Sequence, residues 1–333
     1  MWPRPRWTAP PPHPTVPTPP AAAASAGSAE PPDPCHPPLT HGVTATPRRR
    51  CPVPTYDTPE PVTAIVDLAI GELRVTASDR TDTVVEVRSS DADRAHADRV
   101  RVELTGRELR VTGPQLGLLQ KLTPRTPGRS IEVGIALPAG SALTAATTYG
   151  GIVVEGPLGA CEARTRFGDV RVDDAASADL STGFGHVRIG GTVTGDATVR
   201  SDHGGMQIHR IGGTATLSSK HGGIRADELT GDAELTGTHG PIDVDELGAG
   251  ARVRTAYGDV RLGRVHRGEV SLTSTHGRLE IGVAQGSAAW LDLDTTGRVG
   301  NDLAPREAPD GDAVDTVAVH ARSREGDIVV RRA

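Results

Sequence analysis

One heptapeptide pattern recurs eight times between residues 148 and 281. Its copies are TYGGIVV (148–154), RFGDVRV (166–172), GFGHVRI (183–189), DHGGMQI (202–208), KHGGIRA (220–226), THGPIDV (238–244), AYGDVRL (256–262) and THGRLEI (275–281). TGRV (296–299) is a weaker member, and EGDIVV (325–330) closes the series. The shared glycines run from Gly150 to Gly326, with gaps of 18, 17, 19, 18, 18, 18, 19, 20 and 29 residues. A short fixed period means one structural unit stacked on itself, and it constrains the fold more than any single motif does.

Within each unit, aliphatic residues stand two and four places after the glycine, as in Val170 and Val172 or Ile242 and Val244. The residue between them is polar in most copies. This alternation marks a strand with one buried face. A second strand precedes the turn, with its inward position five before the glycine: Ala163, Leu180, Val199, Leu217, Leu235, Val253 and Leu272. Three before the glycine comes a row of small hydroxyls (Thr147, Thr165, Thr182, Ser201, Ser219, Thr255, Ser274), broken at Gly237, where a kink or a water is expected. GPLG (156–159) and the pairs at 190–191 and 212–213 mark a second corner. Two strands and two corners per coil predict an all-β fold, a flattened β-solenoid with strands about 4.8 Å apart and a stack on the order of 40 Å long. The uneven seven-plus-eleven rhythm disfavours a hexapeptide helix.

Aromatic residues make up only 2% of the 333 residues, while there are 40 glycines. Both fit a thin aliphatic interior with many turns. Three domains are expected. Residues 1–52 hold 16 of the 27 prolines and read as a disordered tail. Residues 53–140 read as a sheet of hairpins outside the repeat's register, capping the first coil. Residues 141–333 carry the solenoid repeats, with 114–129 and 300–315 as loops. The net charge of −6 and the lack of a basic stripe argue against nucleic acid as a partner. No stretch has the length and apolarity of a membrane span, and nothing in 1–52 reads as an export signal, so a cytoplasmic location is expected, with the cell surface as the alternative. Cys161 is the lone cysteine after the tail and reads as a buried structural thiol.

The residue before the turn glycine is Tyr149, Phe167, Phe184, His203, His221, His239, Tyr257 or His276, and stacked coils place these in one outer column. His203, His221 and His239 are the candidate metal ligands, since imidazole is a common one. The structural alternative is a position that wants a flat ring to stack, or a residue tolerant of positive φ. Tyr and Phe share the position and Phe binds no metal, so the structural reading is preferred. Arg171, Arg188, Arg225 and Arg261 form an outward row that reads as a solvated face or as a contact for an acidic polymer. Asp169, Asp259 and Asp327 fall in turns, where Asp serves backbone hydrogen bonds. No paired carboxylates face one cleft, no nucleophile or phosphate motif occurs, and no catalytic residue or cofactor is expected.

The segments PTYDTPEPVTAIVDLAIGELRVTASDRTDTVVEV (54–87), IEVGIALPAGS (131–141), the serial GDVRV-type turns and GSAAWLDLDTTGRV (286–299) resemble a bacterial β-strand-repeat domain family of unknown function, commonly labelled "putative adhesin" and frequent in high-GC Gram-positive bacteria. The resemblance spans residues 54–333. It implies an all-β solenoid and supplies no catalytic residues. It also implies a start near PTYDTPEP, so that 1–52 would be an untranslated upstream extension and the chain would begin at Val53. The expected function is a non-catalytic binding or scaffolding module that presents side-chain ladders to a protein or polysaccharide partner, with self-association through the coil ends as a further route. The alternatives are a polysaccharide-acting β-helix enzyme and a His-column metal binder.

Overall fold

A computed structural model describes residues 54–89, 99–114, 131–303 and 315–333. The tail 1–52, residues 115–129 of the first expected loop and residues 304–314 of the second lie outside the described residues. Among the described residues the chain forms strands and no helix, so no helix is long and apolar enough to cross a membrane. The strands join into a single sheet wound as a flattened solenoid.

The first strands are β1 (Thr55–Asp57), β2 (Thr63–Ile70), β3 (Glu72–Ser78), β4 (Asp82–Ser89), β5 (Arg101–Thr105), β6 (Glu108–Thr112) and β7 (Ile131–Pro138). The regular coils follow: β8 (Ala142–Tyr149), β9 (Ile152–Phe167), β10 (Val170–Phe184), β11 (Val187–Val193), β12 (Ala197–His203), β13 (Met206–Ile211), β14 (Ala215–His221), β15 (Ile224–Leu229), β16 (Ala233–His239), β17 (Ile242–Leu247), β18 (Ala251–Tyr257), β19 (Val260–Val265), β20 (Gly268–His276) and β21 (Leu279–Val283). The last four are β22 (Ala288–Thr295), β23 (Val299–Asn301), β24 (Thr316–Glu325) and β25 (Ile328–Arg332).

Parallel pairing runs rung by rung on two faces. One face carries β12, β14, β16, β18 and β20 in succession, and the other β11, β13, β15, β17, β19 and β21. Val199 pairs with Leu217, and Leu217 with Leu235, so the inward aliphatics occupy adjacent layers as the period requires. All three are fully buried. Each such side chain contributes on the order of 1.5–3 kcal/mol. The interior is so thin that aliphatics from the two faces fill it without rings.

The glycines make the sharp bend possible. Gly222 has φ +154°, and a Cβ there would lie 2.2 Å from the carbonyl oxygen of Gly204 one rung away. Its amide donates to the His239 carbonyl of the next rung at 2.9 Å, and the same bond repeats along the column. The hydroxyl row lies just inside. Thr165 bonds Thr147 at 2.9 Å, and Ser219 donates to the Gly222 carbonyl at 3.0 Å. At Gly237 the register continues without the expected kink, and the Ile242 side chain lies beside it, its Cδ1 3.2 Å from where a Cβ would stand. Thr255 on the next rung has a buried Oγ1 with no partner among the described residues.

Both ends depart from simple succession. Residues 63–78 were expected outside the register, yet β2 and β3 pair in parallel with β8 and β9 and bend at Gly71, an eleventh member of the glycine column. The coil of β6 and β7 lies outside them, because β6 pairs with β2 and β7 with β3. Among the described residues only the pairings of β5 with β6, β4 with β7 and β1 with β4 are antiparallel. At the other end, β24 lies between β20 and β22, and β25 between β21 and β23. The linear order Gly277, Gly297, Gly326 therefore becomes 277, 326, 297 in the stack. Arg331 and Arg332 end β25 beyond the residues that β23 pairs with, and both are tied to the coil beneath. Arg331 pairs with Glu280 at 2.9 Å, and Arg332 donates to the carbonyls of Ala284 and Ser287.

Candidate interaction surface

The residue before each turn glycine ends its strand on the outside of the bend. Glycine-to-carbonyl bonds hold successive rungs in register there, so the side chains can only lie over one another. Tyr149, Phe167, Phe184, His203, His221, His239, Tyr257 and His276 form one continuous stack, with centroids 4.5–5.1 Å apart and planes within 4–13° of parallel. Glu325 closes the column, its Oε2 3.2 Å from His276 Nε2. Phe184 and Tyr257 are 49% and 50% exposed. The ring faces are covered by their neighbours, so the surface presents ring edges. The positive φ belongs to the glycines, which leaves stacking as the reason for flat residues at this position.

His203, His221 and His239 are thus immediate neighbours, with ring centroids 4.7 and 5.0 Å apart. An imidazole lone pair lies in its ring plane, and parallel planes send successive lone pairs along parallel lines. A zinc ion about 2.0–2.1 Å from each nitrogen needs them to converge. Among the described residues, no group of three His, Cys, Asp or Glu side chains is placed to hold a metal ion.

Arg171 lies directly beside Arg188 on adjacent rungs. Gln207 follows, then Arg225, Asp243 and Arg261, so the row alternates beyond its first pair. Arg225 reaches Asp245 at 3.8 Å, whereas Arg171, Arg188 and Arg261 have no ion pair among the described residues. Sequence reasoning passed over a second set of cations across the bend: Arg164, Arg166, Arg200, Lys220 and Arg254, two or four residues before the glycine. The same count of positions that exposed the ring column would have found them.

The two corners differ in charge. Consider the outward positions four, two and one before the glycine and one and three after it. Over the rungs of Gly168 to Gly277 these hold ten Lys/Arg and five Asp/Glu. The connecting segments 173–179, 190–198, 209–216, 227–234, 245–252 and 263–271 form the second corner and hold four Lys/Arg and eleven Asp/Glu. The ring corner is therefore a basic rim, concealed in sequence because basic and acidic segments alternate along the chain. Several acids are structural. Asp169, Asp259 and Asp327 accept the backbone N–H of His186, Arg278 and Arg298 on neighbouring rungs at 2.8–2.9 Å. Asp174 and Asp196 do the same at the second corner for Thr192 and Thr214. Glu228 pairs with Arg210, and Glu246 with Arg264.

A groove of about 610 Å³ opens at the second corner near the C-terminal rungs, lined in part by Asp232, Arg267, Trp290, Asp315 and Thr316. Trp290 is 59% exposed and tilts against His320, which bonds Asp292 at 3.3 Å. No periodic signal pointed to Trp290, since it stands outside the repeated positions. Cys161 is buried, and desolvation pushes its thiol up to about 12, which removes it from nucleophilic chemistry.

No curated protein matches the chain. Among solved structures, a "putative adhesin" from Parabacteroides distasonis is 12% identical, covers 84% of this chain and 95% of its own, and has a TM-score of 0.31. A "putative lipid binding protein" from the same organism is 11% identical, with coverages of 84% and 96% and a TM-score of 0.29. A "putative cell adhesion protein" from Clostridium sporogenes is 10% identical, with coverages of 84% and 100% and a TM-score of 0.17. Residues 66–264 match the model of the Toastrack family, DUF4097, and the chain belongs to that family.

Proposed function

We propose that this protein is a non-catalytic binding module whose stiff solenoid presents columns of like side chains to an extended protein or polymer partner. The observation that carries this reading is the unbroken stack of eight rings held in register on the outside of one corner. Small-molecule sites are concave and mostly apolar, whereas this surface is convex, periodic and rimmed by charge. Neighbouring sites along such a track bind one partner together, so individually weak exposed contacts add up.

An array of surface polysaccharides and proteins, probed with the full chain, tests the reading. The comparison is a variant carrying Phe184→Ser, His203→Ser and His221→Ser. Binding that falls at least tenfold in the variant, with the native circular dichroism kept, supports the ladder. Partners bound equally by both proteins would remove the ring corner from the function. Release of new reducing ends from a bound polysaccharide would reassign the protein as an enzyme.

A further inference from the structure

We propose that the ring-edged basic rim is the track for a single linear acidic polysaccharide lying along the stack. This rests on the ladder reading above and adds the chemistry of the partner. Arg166, Arg171, Arg188, Arg200, Arg254 and Arg261 are all exposed, and none has an ion pair among the described residues. They flank the ring column from both faces of the solenoid, so the fold leaves their charge unspent on its own acids. Rungs repeat at about 4.8 Å, and the seven rungs from Gly168 to Gly277 give a track on the order of 30 Å. Guanidinium groups present paired N–H donors that match carboxylates. The ring faces are occupied by stacking, which leaves C–H edges and imidazole nitrogens facing the track. Recognition there proceeds through charge and hydrogen bonds, without a sugar ring lying flat on an aromatic face.

The second corner narrows the partner further. Asp173, Asp227 and Asp245 lie two residues beyond the arginine row on the same face, about 7 Å along the strand. A broad polyanion, such as a nucleic acid duplex or an anionic bilayer, would press on these acids as it met the arginines. A single chain one sugar wide can follow the rim and avoid them.

The test uses the full chain and fluorescently labelled polygalacturonate, with dextran as the neutral competitor and single-stranded DNA of equal charge as the other polyanion. The rim variant carries Arg171→Gln, Arg188→Gln, Arg200→Gln and Arg254→Gln. The control carries Arg252→Gln and Arg267→Gln from the second corner. Polygalacturonate is expected to bind the rim variant at least tenfold more weakly than the native chain, and the control within twofold. Raising salt from 50 to 200 mM should weaken native binding by about tenfold or more, as expected for several released counterions. Should the fourfold variant fail to fold, Arg188→Gln alone should still weaken binding about twofold. Equal affinity of native and rim variant, salt-independent binding, or no binding at 50 mM salt overturns the proposal. So does tighter binding of the DNA. Equal competition by dextran also overturns it but leaves the ladder reading standing, since a neutral chain would then occupy the same column.

Discussion

The two corners of this solenoid solve the same problem, reversing the chain once per coil, in opposite ways. At the ring corner each of the eight coils from Gly150 to Gly277 uses one glycine with φ between +130° and +155°, one amide-to-carbonyl bond to the next rung, and one flat side chain. At the second corner the connections vary, and register shifts occur between Val172 and Ala175, Ile189 and Thr192, and Leu262 and Val265. The gaps of 17 to 20 residues are absorbed at this second corner, because stacking at the first tolerates no insertion. The rigid corner sets the pitch and gathers cations, while the permissive one carries most of the acids and the groove beside Trp290. A stacked fold thus needs strict geometry on only one of its edges.

The largest expected contrast is between glycines. Gly222→Ala should cost about 4 kcal/mol or prevent folding, because its Cβ meets a backbone oxygen and its φ disfavours a side chain. Gly190→Ala at the second corner meets only the Asp173 carboxylate at 3.3 Å and should stay within about 0.5 kcal/mol. Denaturant unfolding of both checks this, and equal losses would erase the distinction between the corners. Next, Phe184→Ala removes ring contacts at 5.1 and 4.5 Å and should cost about 1–2 kcal/mol. Asp196→Ala, which frees one Thr214 amide at an exposed turn, should cost about 1 kcal/mol or less in the same assay. Thr255→Val should raise the melting temperature slightly, by up to about 1 kcal/mol of stability, since it deletes a buried hydroxyl that has no partner. The smallest effect concerns Cys161. Its thiol is raised from 9.0 to about 12 by burial, so its contribution is fully present below pH 9 and is lost as the pH climbs toward 12. Unfolding midpoints measured from pH 7 to 9 should show no change from this group, and a thiol reagent at pH 8 should label it only on unfolding.

Local chemistry could be read from sequence wherever one strand's own alternation decides it. The inward aliphatics, the hydroxyl row, the flat residues before glycine and the turn aspartates all follow from position within a single coil. Which strand lies beside which does not, because alternation fixes the face of a strand but not its neighbour. Gly71 was passed over because 79 residues separate it from Gly150, its neighbour in the column, just as 79 separate Val66 from its partner Ala145. The reversed order of Gly297 and Gly326 was concealed for the same reason. Only one side of the basic rim was read from sequence, the row of Arg171, Arg188, Arg225 and Arg261, although every cation on the other side of the bend was visible. Its coherence appears only when residues before and after a bend are brought together, and the acids between them mask it in any linear window.

The out-of-order outer rungs at each end also bear on how the molecule is made. β22 and β23 leave the ribosome before the strands that must separate them from β20 and β21. The segment from Thr316 to Arg332 therefore acts as a keystone, entering between a finished stack and a layer still waiting for a neighbour. Clipping off that one segment would set two layers adrift instead of one.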